Sequence, residues 1–286
     1  MWRYTYITTH FAPFVKRIWY NMAMDRNLFN MFIAELDDET FSLTPLYFVE
    51  KAKDKVVVDD KIFFNSYAGE GYSLQFIVDA VKNGEKIDVD NISIHHTSPD
   101  VWDLKIASGT RAKDAYTVTT KDGHHAAVIR FVNYNSDSDK YKDGDEIKAQ
   151  VVGFVLNGDI YENEKAYEED TKDQKFKIAD NCMMPLRFLV NNSADKSKEE
   201  KDAINPDDDR VMAAKFIVKS CHKVPLHIFE QDFPAYYSME VETDYGDMHL
   251  FFPMNALNKP VKQFKKGDIF VGNIMLSGDV YFGDDK

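Results

Sequence analysis

Hydrophobic and polar residues alternate along most of the chain after residue 45, which is the pattern of half-buried β-strands. Helical spacing occurs over 13–36, after a short predicted strand at 2–8, and again over 72–82, where Ser73 is a candidate N-cap. The predicted fold class is therefore α+β and mainly β. Strands are predicted at 56–58, 62–64, 92–94, 102–106, 116–120, 125–132, 211–220, 236–242, 248–252 and 268–276.

A short sequence occurs twice in the chain, as Leu156–Tyr161 and Leu276–Tyr281. Each copy contains an Asn-Gly or Ser-Gly pair between apolar residues. Asn-Gly is the favoured pair for a type I′ turn and Ser-Gly is a weaker turn signal, so each copy predicts a β-hairpin. The repeated sequences therefore predict a duplicated β module. Other landmarks recur at a similar offset: Ala115-Tyr116 with Ala235-Tyr236, Gly123 with Gly246, and Gly144-Asp145 with Gly267-Asp268.

The predicted duplication divides the chain into three parts. The acidic stretch 162–175 is predicted to be a linker or a solvated helix between the two copies. Burial of the N-terminal amphipathic helices against the chain's own sheet is favoured over a partner-binding groove. The parts are 1–44 with an N-terminal strand and amphipathic helices, 45–167 as a first β module with one helix near 72–82, and 168–286 as a second β module with a polar insertion near 191–210.

Each predicted module, with a strand, a hairpin, a connecting segment and a closing hairpin, resembles the OB-fold, a five-stranded barrel. The resemblance covers about 100–162 and 210–283, and it depends on the number of strands and the placement of turns. The segments after Phe131 and Phe252 are too short for the full helix that OB-folds place between strands three and four. The resemblance implies binding on a strand face and in neighbouring loops, typically of oligonucleotides or oligosaccharides.

The net charge of −13 and the pI near 5.1 bear on the class of partner. Nucleic acids and anionic membranes are bound through clustered Lys and Arg, and the sequence has no run of basic residues. Its two cysteines, Cys182 and Cys221, fit a reducing compartment, and the N-terminus lacks the pattern of a signal peptide. No stretch reaches the length needed to span a bilayer. These features predict a cytoplasmic protein with protein partners, with nucleic acid and membranes disfavoured.

Candidate chemical sites are few. His95-His96 and His124-His125 are adjacent pairs, and neighbours on a strand point to opposite faces, so neither pair can chelate one metal. Neither cysteine belongs to a complete zinc pattern, and the polar loop 135–146 fails the EF-hand spacing. The glycine-bearing loop 66–72 lacks the Walker lysine. We therefore predict no metal, no cofactor and no catalytic residue.

Aromatic and basic residues provide the candidate binding positions. Aromatic rings can stack on bases or sugars, although a small barrel is expected to bury about half of its strand residues in the core. Phe229 and Phe233 flank acidic residues in a predicted loop, where exposed apolar rings suggest a binding role. A groove lined by Arg111, Lys113, Lys121 and Arg130 would favour nucleic acid. The candidate binding residues are Phe229, Phe233, Tyr236, Tyr237, Arg111 and Arg130.

Three functional hypotheses follow from the sequence. Duplication without a catalytic signature, together with the acidic charge, favours a non-catalytic cytosolic binding or adaptor protein that acts through protein–protein contacts. The first alternative is OB-like binding of an oligonucleotide or an oligosaccharide. The second alternative is a hydrolase in which His124 or His125 acts with Asp122 at a site between the modules.

Overall fold

The computed structural model of the chain describes residues 47–58, 61–68, 74–83, 86–98, 100–109, 115–131, 141–174, 177–186, 188, 210–228 and 231–281. β-strands dominate these residues, which confirms the prediction of a mainly β fold. The predicted strand and helices over 1–44, Arg111, Phe229 and most of the polar insertion near 191–210 lie outside the described residues.

The described residues form thirteen strands in two sheets, together with one α-helix. The helix, α1 (Glu164–Asp170), lies within the acidic stretch predicted to be a linker or a solvated helix. A helical turn occupies 47–50, and a 3-10 turn occupies Met254–Ala256. The strands are β1 Asp54–Val58, β2 Lys61–Ala68, β3 Leu74–Asn83, β4 Lys86–His96, β5 Val101–Gly109, β6 Ala115–Thr120, β7 Ala126–Phe131, β8 Glu146–Tyr161, β9 Cys182–Pro185, β10 Val211–Ile228, β11 Gln231–Thr243, β12 Gly246–Pro253 and β13 Ile269–Tyr281.

Strands β1 to β4 form an antiparallel sheet in sequence order. β3 covers the segment near 72–82 that is predicted to be a helix, so that prediction is wrong. Leu74, Phe76 and Val78 alternate along β3 toward a common core, while β2 and β4 pair with its two edges. Ile77, on the opposite face, is buried as well. Leu74, Ile77, Val78 and Val81 recur at helical spacing, so the sequence pattern alone also matches a helix.

The other nine strands belong to one sheet with the order β11-β12-β8-β5-β6-β7-β13-β10-β9 and additional pairings β11–β10 and β8–β13. The long strands β8 and β13 are antiparallel to each other. β8 also pairs antiparallel with β5 and parallel with β12, while β13 pairs antiparallel with β10 and parallel with β7. These pairings close two rings, β5-β6-β7-β13-β8 and β10-β11-β12-β8-β13, which share two strands and join both halves of the chain.

The predicted hairpins at the repeated sequence are wrong, because Gly158 lies inside β8 and Gly278 lies inside β13. Neither glycine has the positive φ that a type I′ turn requires. Close packing accounts for both glycines. A Cβ on Gly158 would lie 2.6 Å from the ring of Phe270, and a Cβ on Gly278 would lie 2.8 Å from Cγ2 of Ile129. Gly158 also lies opposite another glycine, Gly272, whereas Gly278 does not.

A four-residue turn occurs in both halves, before each of the two long strands. Lys142–Asp145 precedes β8, and Lys265–Asp268 precedes β13. In each turn the carboxylate of the last residue accepts the backbone N–H of the first residue at 2.8 Å. The third residue is a glycine in the left-handed region, with φ of 94° in the first turn and 92° in the second. The matching Gly-Asp pairs of the sequence therefore have the same local structure.

Both turns attach to the first strand of their own ring at a β-bulge. Ile106 donates its backbone N–H to the carbonyl of Asp145 at 2.8 Å, and Val218 donates its own to the carbonyl of Asp268 at 2.8 Å. A register shift follows Ile106 in the β5–β6 ladder and Val218 in the β10–β11 ladder. The turn and the bulge thus occur together once in each half.

Two hydrophobic cores organise the described residues. One core lies inside the two rings and includes Val118 and Phe270. The other lies between the four-stranded sheet and the outer face of the second ring, where Phe76 belongs to one cluster with Phe154 and Phe251. Burial of large aromatic rings at this second core attaches the four-stranded sheet to the rest of the chain.

A buried lysine attaches the segment that connects the two halves to β10. Lys215 of β10 is 3% exposed, and its Nζ lies 2.8 Å from Oε1 of Glu164 and 2.6 Å from Oδ1 of Asp180. The same atom lies 4.0 Å from the centre of the Tyr167 ring. Burial lowers the pKa of Lys215, but the hydrogen bonds from its ammonium to the two carboxylates outweigh burial and raise it. These contacts tie α1 and the segment after it to β10.

Candidate functional site between the two sheets

The outer face of β11 and β12 carries aromatic side chains that lie against the four-stranded sheet. Along β11, Met239 and Val241 belong to the core inside the rings, whereas Tyr236 belongs to the core between the sheets. Phe251 of β12 lies on the same outer side as Tyr236, and the two rings are 6.2 Å apart in an edge-on arrangement. Tyr236 is 0% exposed and Phe251 is 1% exposed. Polypeptide of the same chain therefore covers this aromatic face completely.

His96, at the end of β4, contacts both aromatic residues of that face. Its ring stacks on Phe251 with centroids 3.5 Å apart, and its Nε2 lies 3.2 Å from the Tyr236 hydroxyl. Its Nδ1 lies 2.8 Å from the carbonyl of Thr97. Because a carbonyl can only accept, Nδ1 carries the proton and Nε2 accepts from the Tyr236 hydroxyl. This geometry fits the neutral imidazole, in which one ring nitrogen donates and the other accepts.

His95, the preceding residue, points to the opposite face of β4 and contacts a different strand. Its Nδ1 lies 2.9 Å from Oγ of Ser277 in β13, and Ser277 Oγ in turn lies 3.5 Å from the carbonyl of Ile94. Its Nε2 is buried without a hydrogen-bond partner among the described residues. The two adjacent histidines thus contact two different parts of the nine-stranded sheet.

Burial is the main cause of the pKa shifts of these two histidines. It lowers the pKa of His95 to about 3, with a further lowering from the neighbouring His96. It also lowers the pKa of His96 to about 3, against the opposing effect of the hydrogen bond to Thr97. His249 and His222 add to the lowering for His96. Both imidazoles are therefore neutral at neutral pH, and they serve as packing and hydrogen-bonding groups.

A third histidine completes the polar rim of this interface. His249 of β12 lies 3.6 Å from Oδ2 of Asp100, through its Nε2, and 3.3 Å from Oγ of Ser238 through its Nδ1. Asp100 also accepts the hydroxyl of Ser98 at 3.1 Å. His249 stacks on Phe251 with centroids 6.1 Å apart. The residues that follow β4 are thereby bound to β12 by polar contacts.

The predicted binding residues are divided between two environments. Phe233 and Tyr236 pack in the core between the sheets, so the structure places these two at the interface described above. Tyr237, the next residue, packs against the core inside the rings, with its ring centroid 5.7 Å from that of Phe252. Phe229 lies outside the described residues.

The described residues of the predicted basic groove do not line an open groove. Arg130, on β7, is only 5% exposed. Lys121 is half exposed, and its ammonium lies 3.6 Å from the carboxylate of Asp103. Arg111 and Lys113 lie outside the described residues. The structure therefore does not bring Arg130 and Lys121 together on an accessible surface.

The groups of the hydrolase hypothesis have other partners. Asp122 is exposed and accepts the Thr120 hydroxyl and, at 3.1 Å, the backbone N–H of His124, and these hydrogen bonds lower the pKa of its carboxyl. His125 instead reaches into the second half of the chain, where its Nδ1 lies 3.3 Å from Oδ2 of Asp244. Asp122 therefore shapes the β6–β7 loop, and the contact between the halves involves a different carboxylate.

A cysteine shares the carboxylate that His125 contacts. The thiol of Cys182 donates to Oδ2 of Asp244 at 2.8 Å. Burial raises the pKa of this thiol to about 11, with additional effects from Asp244 and Asp180. The thiol is therefore protonated at neutral pH and is a poor nucleophile. Among the described residues, no group of three or more His, Cys, Asp or Glu side chains could hold a metal ion.

Sequence reasoning does not assign a binding role to His95 and His96. Alternation along a strand correctly predicts that the two side chains point to opposite faces. Their partners, Ser277 and Tyr236, lie far away in the sequence, and only the sheet topology brings them close. The available signal is the position of two adjacent histidines at the end of an alternating strand.

Two further findings concern similarity to known proteins and the presence of membrane-spanning helices. No protein-family model, no curated protein and no solved structure matches the chain. In the described part of the chain, no helix has the length and apolar character needed to cross a membrane.

Proposed function

We propose that the chain is a non-catalytic binding protein that acts through protein–protein contacts on two OB-like modules. Support for the modules comes from the pairing within each ring. Three successive antiparallel strands are followed by a parallel pairing to a long strand and an antiparallel return to the first strand. This is the strand order 1-2-3-5-4 of an OB barrel. The bulge and turn that recur in each half favour duplication of one module.

Each proposed module takes its fifth strand from the other. β8 is the fourth strand of the first module and the fifth strand of the second, and β13 has the reverse roles. The modules begin at β5 and β10, close to the range of the sequence resemblance. The four-stranded sheet makes no strand pairing with them among the described residues, so we separate it from the first module predicted at 45–167.

One observation carries the proposed function. OB-folds bind their ligands on the outer face of strands two and three, which correspond to β11 and β12 in the second module. A polypeptide already occupies this face, because the four-stranded sheet covers Tyr236 and Phe251. The contacts consist of ring stacking, apolar packing and hydrogen bonds to neutral groups. A face of this composition suits protein surfaces better than phosphate or sugar.

In the first module, strands two and three correspond to β6 and β7, and Val128 and Arg130 of β7 are buried. The surface we assign to an external partner is therefore the exposed face of the neighbouring strand β5. Val101 is 45% exposed there, and the β5 residues Asp103 and Lys105 are also exposed. A photo-crosslinking amino acid at Val101 of the full chain, used in native lysate, should yield a discrete, stoichiometric protein adduct. The matched control carries the crosslinker at exposed Lys172, where no adduct is expected. Equal adducts at both positions, or none at Val101, would contradict the proposal.

A second candidate, single-stranded nucleic acid, is favoured by one observation. Lys105, Lys121 and Lys148 lie around β5, and the last two are ion-paired with Asp103 at 3.6 and 3.7 Å. Fluorescence anisotropy with a labelled single-stranded oligonucleotide tests it. Under the protein-binding proposal the affinity is weak at physiological salt. Tight binding that falls steeply with salt, and that is lost in K105E/K121E/K148E, would establish the second candidate.

A further inference from the structure

Two neutral histidines attach the four-stranded sheet to the rest of the protein. His96 stacks on Phe251 and hydrogen-bonds to Tyr236, while His95 hydrogen-bonds to Ser277. Both are almost completely buried, at 6% and 0% exposure. Neither has a described ion-pair partner that would stabilise an imidazolium, and His95 Nε2 has no hydrogen-bond partner among the described residues.

Groups of several elements face this pair. His249 of β12 and His222 of β10 act on His96 electrostatically, and both would add positive charge when protonated. Tyr236 of β11 is neutral and donates its hydroxyl to His96. The carboxylate of Asp100 contacts His249 at 3.6 Å. The strand facing His95, β13, presents the neutral hydroxyl of Ser277.

We propose that the four-stranded sheet is an acid-released cover over the aromatic face of β11 and β12. Protonation gives His96 a second N–H, so the Tyr236 hydroxyl must change from donor to acceptor, and it places a charge against the buried ring of Phe251. The charged imidazole is stabilised only by leaving the interface and contacting water. Release of the sheet exposes Tyr236 and Phe251. The inference rests on the proposed function only in treating this face as a ligand surface.

The pH window follows from the burial of the two histidines. Their pKa values of about 3 in the closed form lie below the ordinary value of 6.5. Closure is therefore fully favoured above about pH 6.5 and weakens as the pH falls toward about 3. Within this window each histidine lowers the ratio of closed to open protein about tenfold per pH unit. The two histidines together lower it about a hundredfold per unit.

The test measures exposure of the aromatic face in the full chain. Fluorescence of the hydrophobic dye ANS is followed from about pH 7.5 to about pH 4.5, a range above the ordinary carboxyl pKa values. Far-UV and near-UV circular dichroism at each pH separate sheet release from unfolding. We expect dye fluorescence to rise several-fold while the β-sheet signal persists. Dye exclusion down to about pH 4.5 would overturn the inference.

Two variants test whether the pH dependence of dye binding arises at this interface. His96→Phe keeps an aromatic ring on Phe251 but cannot be protonated, so the pH dependence of opening should fall to about tenfold per unit. His227→Gln, at an exposed histidine that pairs with Asp232, is the matched control and should behave as wild type. An unchanged slope in His96→Phe would overturn the inference. If that variant does not fold, the number of protons that the wild-type chain takes up on opening provides the test. We expect about two protons, and uptake of no protons would contradict the inference.

The outcomes distinguish the inference from the proposed function. Loss of the acid response would remove the cover mechanism and leave the Val101 crosslinking result unaffected. Loss of the Val101 adduct would remove the protein-binding proposal, whereas the pH dependence of dye binding would still report release of the sheet.

Discussion

Gly158 of β8 and Gly272 of β13 lie opposite each other, where the two shared strands approach closely. A Cβ on Gly272 would lie 2.7 Å from Cα of Gly158 and would also overlap the carbonyl oxygen of Asn157. Both obstacles are backbone atoms, which cannot turn away as the end of a side chain can. This pair of glycines therefore permits the close spacing of β8 and β13.

Substitution of Gly272 tests this close approach. We expect Gly272→Ala to lower the free energy of unfolding by about 3 kcal/mol, because the added methyl group forces the strands apart. Urea denaturation measures the change. Gly267→Ala is the control: its φ of 92° is unfavourable for alanine, but no atom lies within 4 Å of its Cβ. The control should cost about 1 kcal/mol, and an equal or larger cost would show that packing at Gly272 is looser than described.

The buried lysine of β10 is expected to stabilise the connection between the halves. Lys215→Met removes its ion pairs with Glu164 and Asp180, and we expect a loss of about 2 kcal/mol together with faster proteolysis of α1. Lys219→Met removes one ion pair at a more exposed position on the same strand and should cost clearly less than Lys215→Met. Similar losses for both variants would contradict a specific role for Lys215.

The two Gly-Asp turns provide a matched pair of substitutions. Asp268 is 4% exposed and Asp145 is exposed, although each accepts the same backbone hydrogen bond at 2.8 Å. Asp268→Ala removes a buried carboxylate, leaves the partly buried N–H of Lys265 without its acceptor, and should cost about 2 kcal/mol. Asp145→Ala, where water can replace the carboxylate, should cost about 1 kcal/mol or less. Thermal unfolding of both variants checks the order, and the reverse order would contradict the assigned burial.

The two cysteines are expected to react slowly. Burial raises the pKa of Cys182 to about 11 and that of Cys221 to about 12. At about pH 8 the thiolate fraction of Cys182 is then roughly a hundredfold or more below that of an ordinary thiol, so alkylation is slow. Asp244→Asn removes the carboxylate next to Cys182 and should speed its alkylation, with Cys221 as the internal control. Mass spectrometry of iodoacetamide adducts measures both rates, and rapid alkylation of native Cys182 would contradict its burial.

Much of the secondary structure can be predicted from local sequence patterns. The strands from Val211 onward, the turns at Gly144 and Gly267, and the helix in the acidic connection depend on patterns within a few residues. The segment 74–83 does not, because Leu74, Ile77, Val78 and Val81 fit helical spacing although the segment pairs as a strand. The hairpin prediction fails because a glycine can serve a turn or a close contact, and only the pairing partner distinguishes these roles.

The candidate site is harder to predict from the sequence than the strands are. Tyr236 and Phe233 can be proposed from their aromatic character alone. Their environment depends on β4, whose position against β11 and β12 has no local signal. The contact of His95 with Ser277 and that of His96 with Tyr236 span most of the described chain. Such contacts arise from topology, which a repeat in the sequence indicates only in outline.

The exchange of β8 and β13 between the rings has a consequence for unfolding. Removing either long strand opens both rings at once, so neither half can lose its structure while the other keeps its own. Although the chain length suits two independent domains, denaturation of the shared sheet should be a single cooperative transition. A substitution that destabilises one half should therefore lower the free energy of unfolding of the shared sheet as a whole.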